Sequence, residues 1–428
     1  MKSQVSASAR SEAGRNDWFL SAVYVAVQSH VSRLQVAMDV AVRTEPVDGH
    51  SLFGELFERA ALEGENRDEL VRAFAEFAEG VQELAKAAES GENLEFSLSL
   101  PDGETSEAFN HLLLAAARQA IRPSRAAEAC KGALLLMAAS LETLVADLAS
   151  ALIRDRPAVV DLGSKQMTLG QMEELGSIEA VRAYAAAKAV DGLMRGGIDQ
   201  WADWFHLFAV EWKEIPENWW AFREIDARRN LVAHAGSIVN EFYLKIARDN
   251  DAESVPEAGQ ELSVDESYLR KAHAELAAFG VLVGASVSMR HRPDALGSIY
   301  SWGAREARAL LDDEVYDGAR MIAARLLSVA RGRLARRTEI DIRVTDWLAR
   351  KALGGVEAIR SEVERYDFAG LDLTMRHFRS LLLDDDDVAI EQIQTLIARN
   401  DLRRTRVRLS NEYSELRSRR GTDWLDVE

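Results

Sequence analysis

An all-α fold is predicted for this chain, with a helical bundle at its centre between an N-terminal helical region and a C-terminal region of α-hairpins. Three observations predict it. Only 7 prolines occur in 428 residues, so helices have few obligatory breaks. Alanine, leucine, glutamate and arginine, which lose little on entering a helix, recur throughout. Apolar residues fall at helical spacing almost everywhere, and strict alternation is rare.

Taken in order, residues 1–15 are polar and rich in Ser and Ala, the composition of a loose end. Residues 16–120 form the N-terminal helical region. Trp18, Leu20, Val23, Val25, Val27, Val31, Leu34, Val36 and Met38 mark its first long, mostly apolar helical stretch, and a second runs from Leu70 to Ala88. Leu94-Glu95-Phe96-Ser97-Leu98-Ser99-Leu100 alternates and ends on Pro101-Asp102-Gly103, so one short strand is expected there. A joint at Arg122–Arg125 opens the central part, residues 121–255. Ala133–Ile153 is its most apolar stretch, interrupted by Glu142 and Asp147, as suits a core helix better than a bilayer span. Glu142 sits among apolar residues, where an unpaired charge is costly; either an arginine of a later helix pairs with it or the position is exposed. Asp249–Glu266, acidic and holding Pro256 and Gly259, reads as a linker. The C-terminal region, 264–428, repeats helices with small residues at set positions, including Gly318-Ala319, and similar segments near Trp347 and Asp387 recur at about forty residues. A stack of α-hairpins that offers a surface to a protein partner and a single irregular bundle both fit this pattern.

Composition narrows the function classes. The single cysteine, Cys130, excludes an intramolecular disulfide and is expected to be a small buried residue. The 8 histidines are scattered without His-Glu-x-x-His, no paired-cysteine framework exists, and the Gly-Gly pairs lack the pattern of a phosphate loop. No metal or other cofactor is therefore expected. The first residues lack the basic, apolar and small-residue order of a signal peptide, so the cytoplasm is the expected location, with no membrane partner. A net charge of −18 argues against indiscriminate binding to nucleic acid. Two arginine runs, Arg320–Arg337 and Arg399–Arg420, read as solvated helix faces paired with neighbouring acids.

Chemistry concentrates in Glu224-Ile225-Asp226-Ala227-Arg228-Arg229-Asn230-Leu231-Val232-Ala233-His234. At about 100° per residue, a helix here lines up Asp226, Asn230 and His234 on a polar stripe with Arg229 on its flank. Histidine can accept a proton from a ribose 2′-hydroxyl or deliver one to a leaving 5′-oxygen. Arginine stays charged and can neutralise phosphoryl oxygens. Arg229 and His234 lie roughly 140° apart and about 7.5 Å along the axis, so two antiparallel copies in an isologous dimer would converge on one phosphate better than one copy. Five tryptophans, Trp201, Trp204, Trp212, Trp219 and Trp220, precede this helix. Their spacing suits core packing, with Trp219 and Trp220, just after Pro216, the pair expected to line a cleft where bases could stack.

The run Arg228-Arg229-Asn230-Leu231-Val232-Ala233-His234, with Leu134–Leu148 and Arg195–Phe205 upstream, resembles the Arg-Asn-x-x-x-His segment and preceding helices of the HEPN superfamily over roughly residues 125–255. The resemblance implies an all-α, usually dimeric domain, often a metal-independent ribonuclease of bacterial toxin or antiviral systems. It places Arg229 and His234 as the catalytic pair, Asn230 as the accompanying polar residue, and Asp226 or Glu224 as the upstream acid. Arg228, Glu224, Trp219 and Trp220 would then contact the RNA. Some members of the superfamily are only scaffolds, and that reading stays open for this chain.

Overall fold

A computed structural model describes residues 17–43, 124–158 and 167–425, except 251, 253, 254, 331 and 333, together with a few isolated positions between 68 and 113. The described residues are almost entirely helical, and the only extended pairing among them is a bridge between Ile238 and Glu261. The expected strand at 94–100, most of the helix at 70–88 and the N-terminal 15 residues lie outside the described part.

Two compact units divide the chain: 42–129, of which only scattered helical positions and the start of one long helix are described, and 1–41 together with 130–428. In this division residues 17–41 group with the central and C-terminal helices. Helix α1 (Trp18–Val42) buries Phe19, Val23, Val27, His30, Leu34, Ala37 and Ala41 on one stripe. This stripe meets α8 (Glu266–His291), the most enclosed helix of the larger unit. Gly280 and Gly284 make the approach possible, because a Cβ at Gly280 would lie 2.5 Å from the His30 ring and one at Gly284 would lie 2.6 Å from Val27. His30 then bridges three helices: its Nε2 donates to Leu276 O at 3.0 Å, and its Nδ1 meets Ser140 Oγ at 2.8 Å. Ser140 belongs to α2 (Arg125–Asp155), which also carries Glu142. Both α2 and α8 are long and apolar enough to cross a membrane, and both are mostly buried inside the protein, as core helices are.

Between α2 and α8 the chain forms α3 (Leu169–Leu175), α4 (Ile178–Met194), α5 (Ile198–His206), α6 (Trp219–His234) and α7 (Glu241–Asp249). α3 opens on a capping box built by Thr168 and Gln171. Beyond α8 come α9 (Leu296–Asp312), α10 (Tyr316–Ala330), α11 (Arg336–Gly354), α12 (Arg360–Arg365), α13 (Leu373–Leu382), α14 (Asp386–Ala398), α15 (Arg404–Leu409) and α16 (Ser414–Arg420). From α8 to α11 each helix packs on its neighbour in sequence and on the next but one, as stacked α-hairpins do. Small residues are where these helices close up: a Cβ at Gly303 would meet Leu326 at 2.9 Å, and one at Gly318, a position noted in the sequence, would meet the Ala274 carbonyl at 3.2 Å.

The segment 249–266 is not a loose linker between domains. Its second half clips onto the turn after α6, with Val239 N donating to Gln260 O, Gly259 N to Val239 O and Leu262 N to Ser237 O, each at 2.9 Å. Gly236 and Ser237, both in the left-handed region at φ 59° and 68°, turn the chain back so that this pairing forms. One apolar core consequently runs from α1 through the central helices into the C-terminal stack, without a break at 255–264.

Candidate functional site

Helix α6 begins at Asn218, whose Oδ1 accepts the Ala221 N–H at 3.1 Å, and ends at His234 before the Gly236-Ser237 turn. Rather than resting one apolar face on a core, it is wedged between two. Phe222 and Ile225 enter the main core, where Phe222 lies 4.3 Å from Phe279 of α8. Ala227 and Leu231 enter a smaller cluster with Val239, Tyr243, Leu244, Ala247 and Leu262. The polar residues between these faces split into two groups.

The first group looks toward α7 and α8. The Glu224 carboxylate, its side chain only 13% exposed, accepts Arg228 Nε at 2.6 Å, Tyr243 OH at 3.0 Å and Tyr268 OH at 2.7 Å. Arg228 also covers the Tyr268 ring, 4.1 Å from its centroid, and donates to Ser263 O at 2.8 Å. Burial, together with the Glu224 charge, pushes both tyrosine hydroxyls well above their ordinary pKa. Glu224 and Arg228, expected to touch substrate, are turned into a network that joins three helices and the segment before α8. Tyr243 and Tyr268 each stand three residues past a side-chain cap, Asn240 of α7 and Asp265 of α8, and neither position signals the carboxylate it meets.

The second group looks toward α2. Arg229 Nη2 donates to Glu142 Oε1 at 2.8 Å and lies 3.1 Å from Asp226 Oδ1, while Nη1 donates to Asn230 Oδ1 at 3.0 Å. The apolar setting of Glu142 thus resolves in both expected ways, since it pairs with an arginine of α6 and keeps a side chain 42% exposed. Buried Arg229 Nε has no hydrogen-bond partner among the described residues. Burial raises the Asp226 pKa, opposed by the positive charge of Arg229. Three of the four residues expected to carry catalysis, Arg229, Asn230 and Asp226, therefore meet at hydrogen-bonding distance. His234 stands apart from them: it is exposed on the last turn of α6 and engages no other side chain among the described residues.

The two tryptophans expected to line one cleft part company. Trp219 stacks on Phe222 at 5.6 Å against the main core, and Trp220 meets the Tyr243 ring edge-on at 6.1 Å in the smaller cluster. Being consecutive on a helix, they point about 100° apart. Trp201 and Trp212 are buried and Trp204 packs against the same core, as their spacing implied. Sequence reasoning also missed Arg223, buried on α6 and donating to Asp199 Oδ2 on α5 at 2.9 Å. Among the described residues no three His, Cys, Asp or Glu side chains gather as a metal ion would require.

Fold and site together define an all-α protein whose Arg-Asn-x-x-x-His helix is held between two apolar clusters, with its arginine against acids and its histidine in solvent. Comparison with protein-family models, with characterised proteins and with solved structures finds no match to the chain.

Proposed function

We propose that this protein is a metal-independent endoribonuclease of the HEPN type, acting in a bacterial defence or toxin-type system in the cytoplasm and working as a homodimer through the part around α6. The observation that carries this reading is His234: a solvent-exposed imidazole with no side-chain partner among the described residues, five positions beyond an arginine whose Nε is orphaned. Buried His30 is by contrast tied to Leu276 O and Ser140 Oγ. His234 is held by the helix and left free.

In the proposed reaction the ribose 2′-oxygen attacks the adjacent phosphorus. The O2′–P bond forms, the P–O5′ bond breaks, and a 2′,3′-cyclic phosphate and a 5′-hydroxyl result. One imidazole takes the 2′-hydroxyl proton, and the partner copy's equivalent imidazole supplies the proton that O5′ needs. Arg229 neutralises the phosphoryl oxygens. To do so it exchanges Glu142 for the phosphate, and the half-exposed Glu142 carboxylate can return to water at little cost. Asp226 and Asn230 keep the guanidinium in place meanwhile.

A non-catalytic scaffold is the second reading, favoured by one observation: the charge of Arg229 is already matched by Glu142 and Asp226. Cleavage of total RNA in EDTA separates the two. Wild type is expected to leave cyclic phosphate ends, and His234→Ala to lower the rate by about 10²–10⁴-fold with its thermal unfolding unchanged. Equal cleavage by both proteins, or none by either, supports the scaffold.

A further inference from the structure

A cleft of about 440 Å³ opens among the C-terminal helices, remote in sequence from the α6 motif, and lies within the size range of small-molecule sites. Four arginines line it from three helices: Arg305 and Arg308 on α9, Arg337 on α11 and Arg406 on α15. Beneath them lies Glu412, its side chain fully buried, which accepts Arg308 Nη1 at 2.7 Å and Arg406 Nε at 2.8 Å. One carboxylate thus draws two guanidiniums together and leaves each with further N–H donors. Arg308 is also braced by Asp341 at 3.3 Å and by the Phe378 ring, 5.4 Å away. Arg337 pairs with Asp372 at the surface, and Arg305 is exposed with no hydrogen bond or ion pair among the described residues.

Acids are present as well, Asp341 and Asp401 in the lining with Glu412 and Asp372 beside it, so the cleft is not simply a positive patch. What distinguishes it is donor density. Thr338 and Thr374 add hydroxyls beside the guanidiniums, and α11 opens there without a side-chain cap on its first N–H groups. Buried Met375 and Leu402 provide an apolar floor.

We infer that this cleft binds a small organic phosphate of nucleotide size, its phosphoryl oxygens taken by Arg305, Arg308, Arg337 and Arg406 and its organic body laid toward Met375 and Leu402. A tetrahedral phosphoryl group presents more acceptors to converging guanidinium forks than a single carboxylate does. Size and charge select a small ligand over a nucleic-acid chain, because a protein of net charge −18 repels a long polyanion while a compact one feels mainly the local arginines. This inference is independent of the reaction proposed for α6.

The test is calorimetric titration of the full chain with ATP, inorganic phosphate, citrate and a short single-stranded RNA. Wild type is expected to bind one ATP per chain saturably, with phosphate competing weakly and citrate and RNA not competing. Arg305→Ala/Arg337→Ala alters two exposed residues and leaves the buried Glu412 pairs intact; it is expected to weaken ATP binding by about a hundredfold, roughly tenfold for each lost guanidinium. Arg403→Ala/Arg404→Ala, on the exposed start of α15, serves as the control and is expected to leave affinity unchanged. Absence of saturable ATP binding, equal loss in both double variants, no loss in the first, or citrate or RNA displacing ATP would each overturn the assignment.

Discussion

Arg228 and Arg229 are neighbours in the chain and each meets a glutamate, yet the two pairs are built for different ends. Glu224 is enclosed and receives three donors, one from each of three helices. Glu142 is 42% exposed and, among the described residues, receives Arg229 alone. A carboxylate buried with its donors satisfied cannot leave without stranding a charge and two hydroxyls, whereas one at the surface has water as an alternative partner. Consecutive residues on a helix thereby divide into a fixed brace and an exchangeable contact.

Denaturant unfolding of Glu224→Ala and Glu142→Ala tests this contrast most directly. Glu224→Ala strands Arg228, Tyr243 and Tyr268 and is expected to cost about 3–5 kcal/mol, while Glu142→Ala costs about 1 kcal/mol or less. Similar losses from the two would break the comparison.

Enclosed histidines extend the contrast to pH. Burial lowers the His30 pKa from 6.5 to about 4, and His273 and His377 are lowered to about 4 in the same way. A depressed pKa in the folded state means that the unfolded chain binds the proton first. The stability such a group contributes is therefore complete above pH 6.5 and lost as pH falls toward 4, about 3 kcal/mol for a full shift of this size. His30→Gln is expected to flatten the decline in stability between pH 6.5 and 4 relative to wild type. Equal slopes in the two proteins would contradict the burial argument.

Glu275 carries the opposite sign. Burial, with Glu217 and Asp317 adding repulsion against the attraction of Arg320, raises its pKa from 4.5 to about 7. Its favourable contribution is present below pH 4.5 and lost as pH rises through 7. Glu275→Gln is accordingly expected to stabilise the protein by about 1–2 kcal/mol at pH 8, allowing for partial solvent screening, and not at pH 4. The smallest effect belongs to His234→Ala, within about 0.5 kcal/mol of wild type, measured by thermal unfolding. A larger loss would mean that the imidazole is part of the packing and not free for chemistry.

Much of the local architecture was legible in the residues. The scarcity of proline and the helical spacing of apolar residues announced an all-α chain, while the small-residue positions fitted both stacked hairpins and a single irregular bundle. Glu142 was recognisable because a lone charge in an apolar run needs either a partner or solvent, and it has both. Several members of the arginine runs are paired with acids among the described residues, as in Arg320–Glu217, Arg419–Asp386 and Arg420–Asp387. The Glu224 brace was not legible, because Tyr268 is 44 residues from its acceptor and a tyrosine carries no mark of the carboxylate it will meet. Nor was the placing of α1, which depends on the match between Gly280 and Gly284 on one helix and His30 and Val27 on another.

By itself the sequence determined that the chain is helical and which side chains could do acid–base work, since these follow from propensities and spacing within a few residues. Tertiary structure alone decided that α6 would lie between two cores, that Arg228 would be locked and Arg229 left half open, and that four arginines distant in sequence would face one cleft. The physical reason is range: helix formation is set within a turn or two of chain, whereas burial and charge pairing depend on which helices pack together.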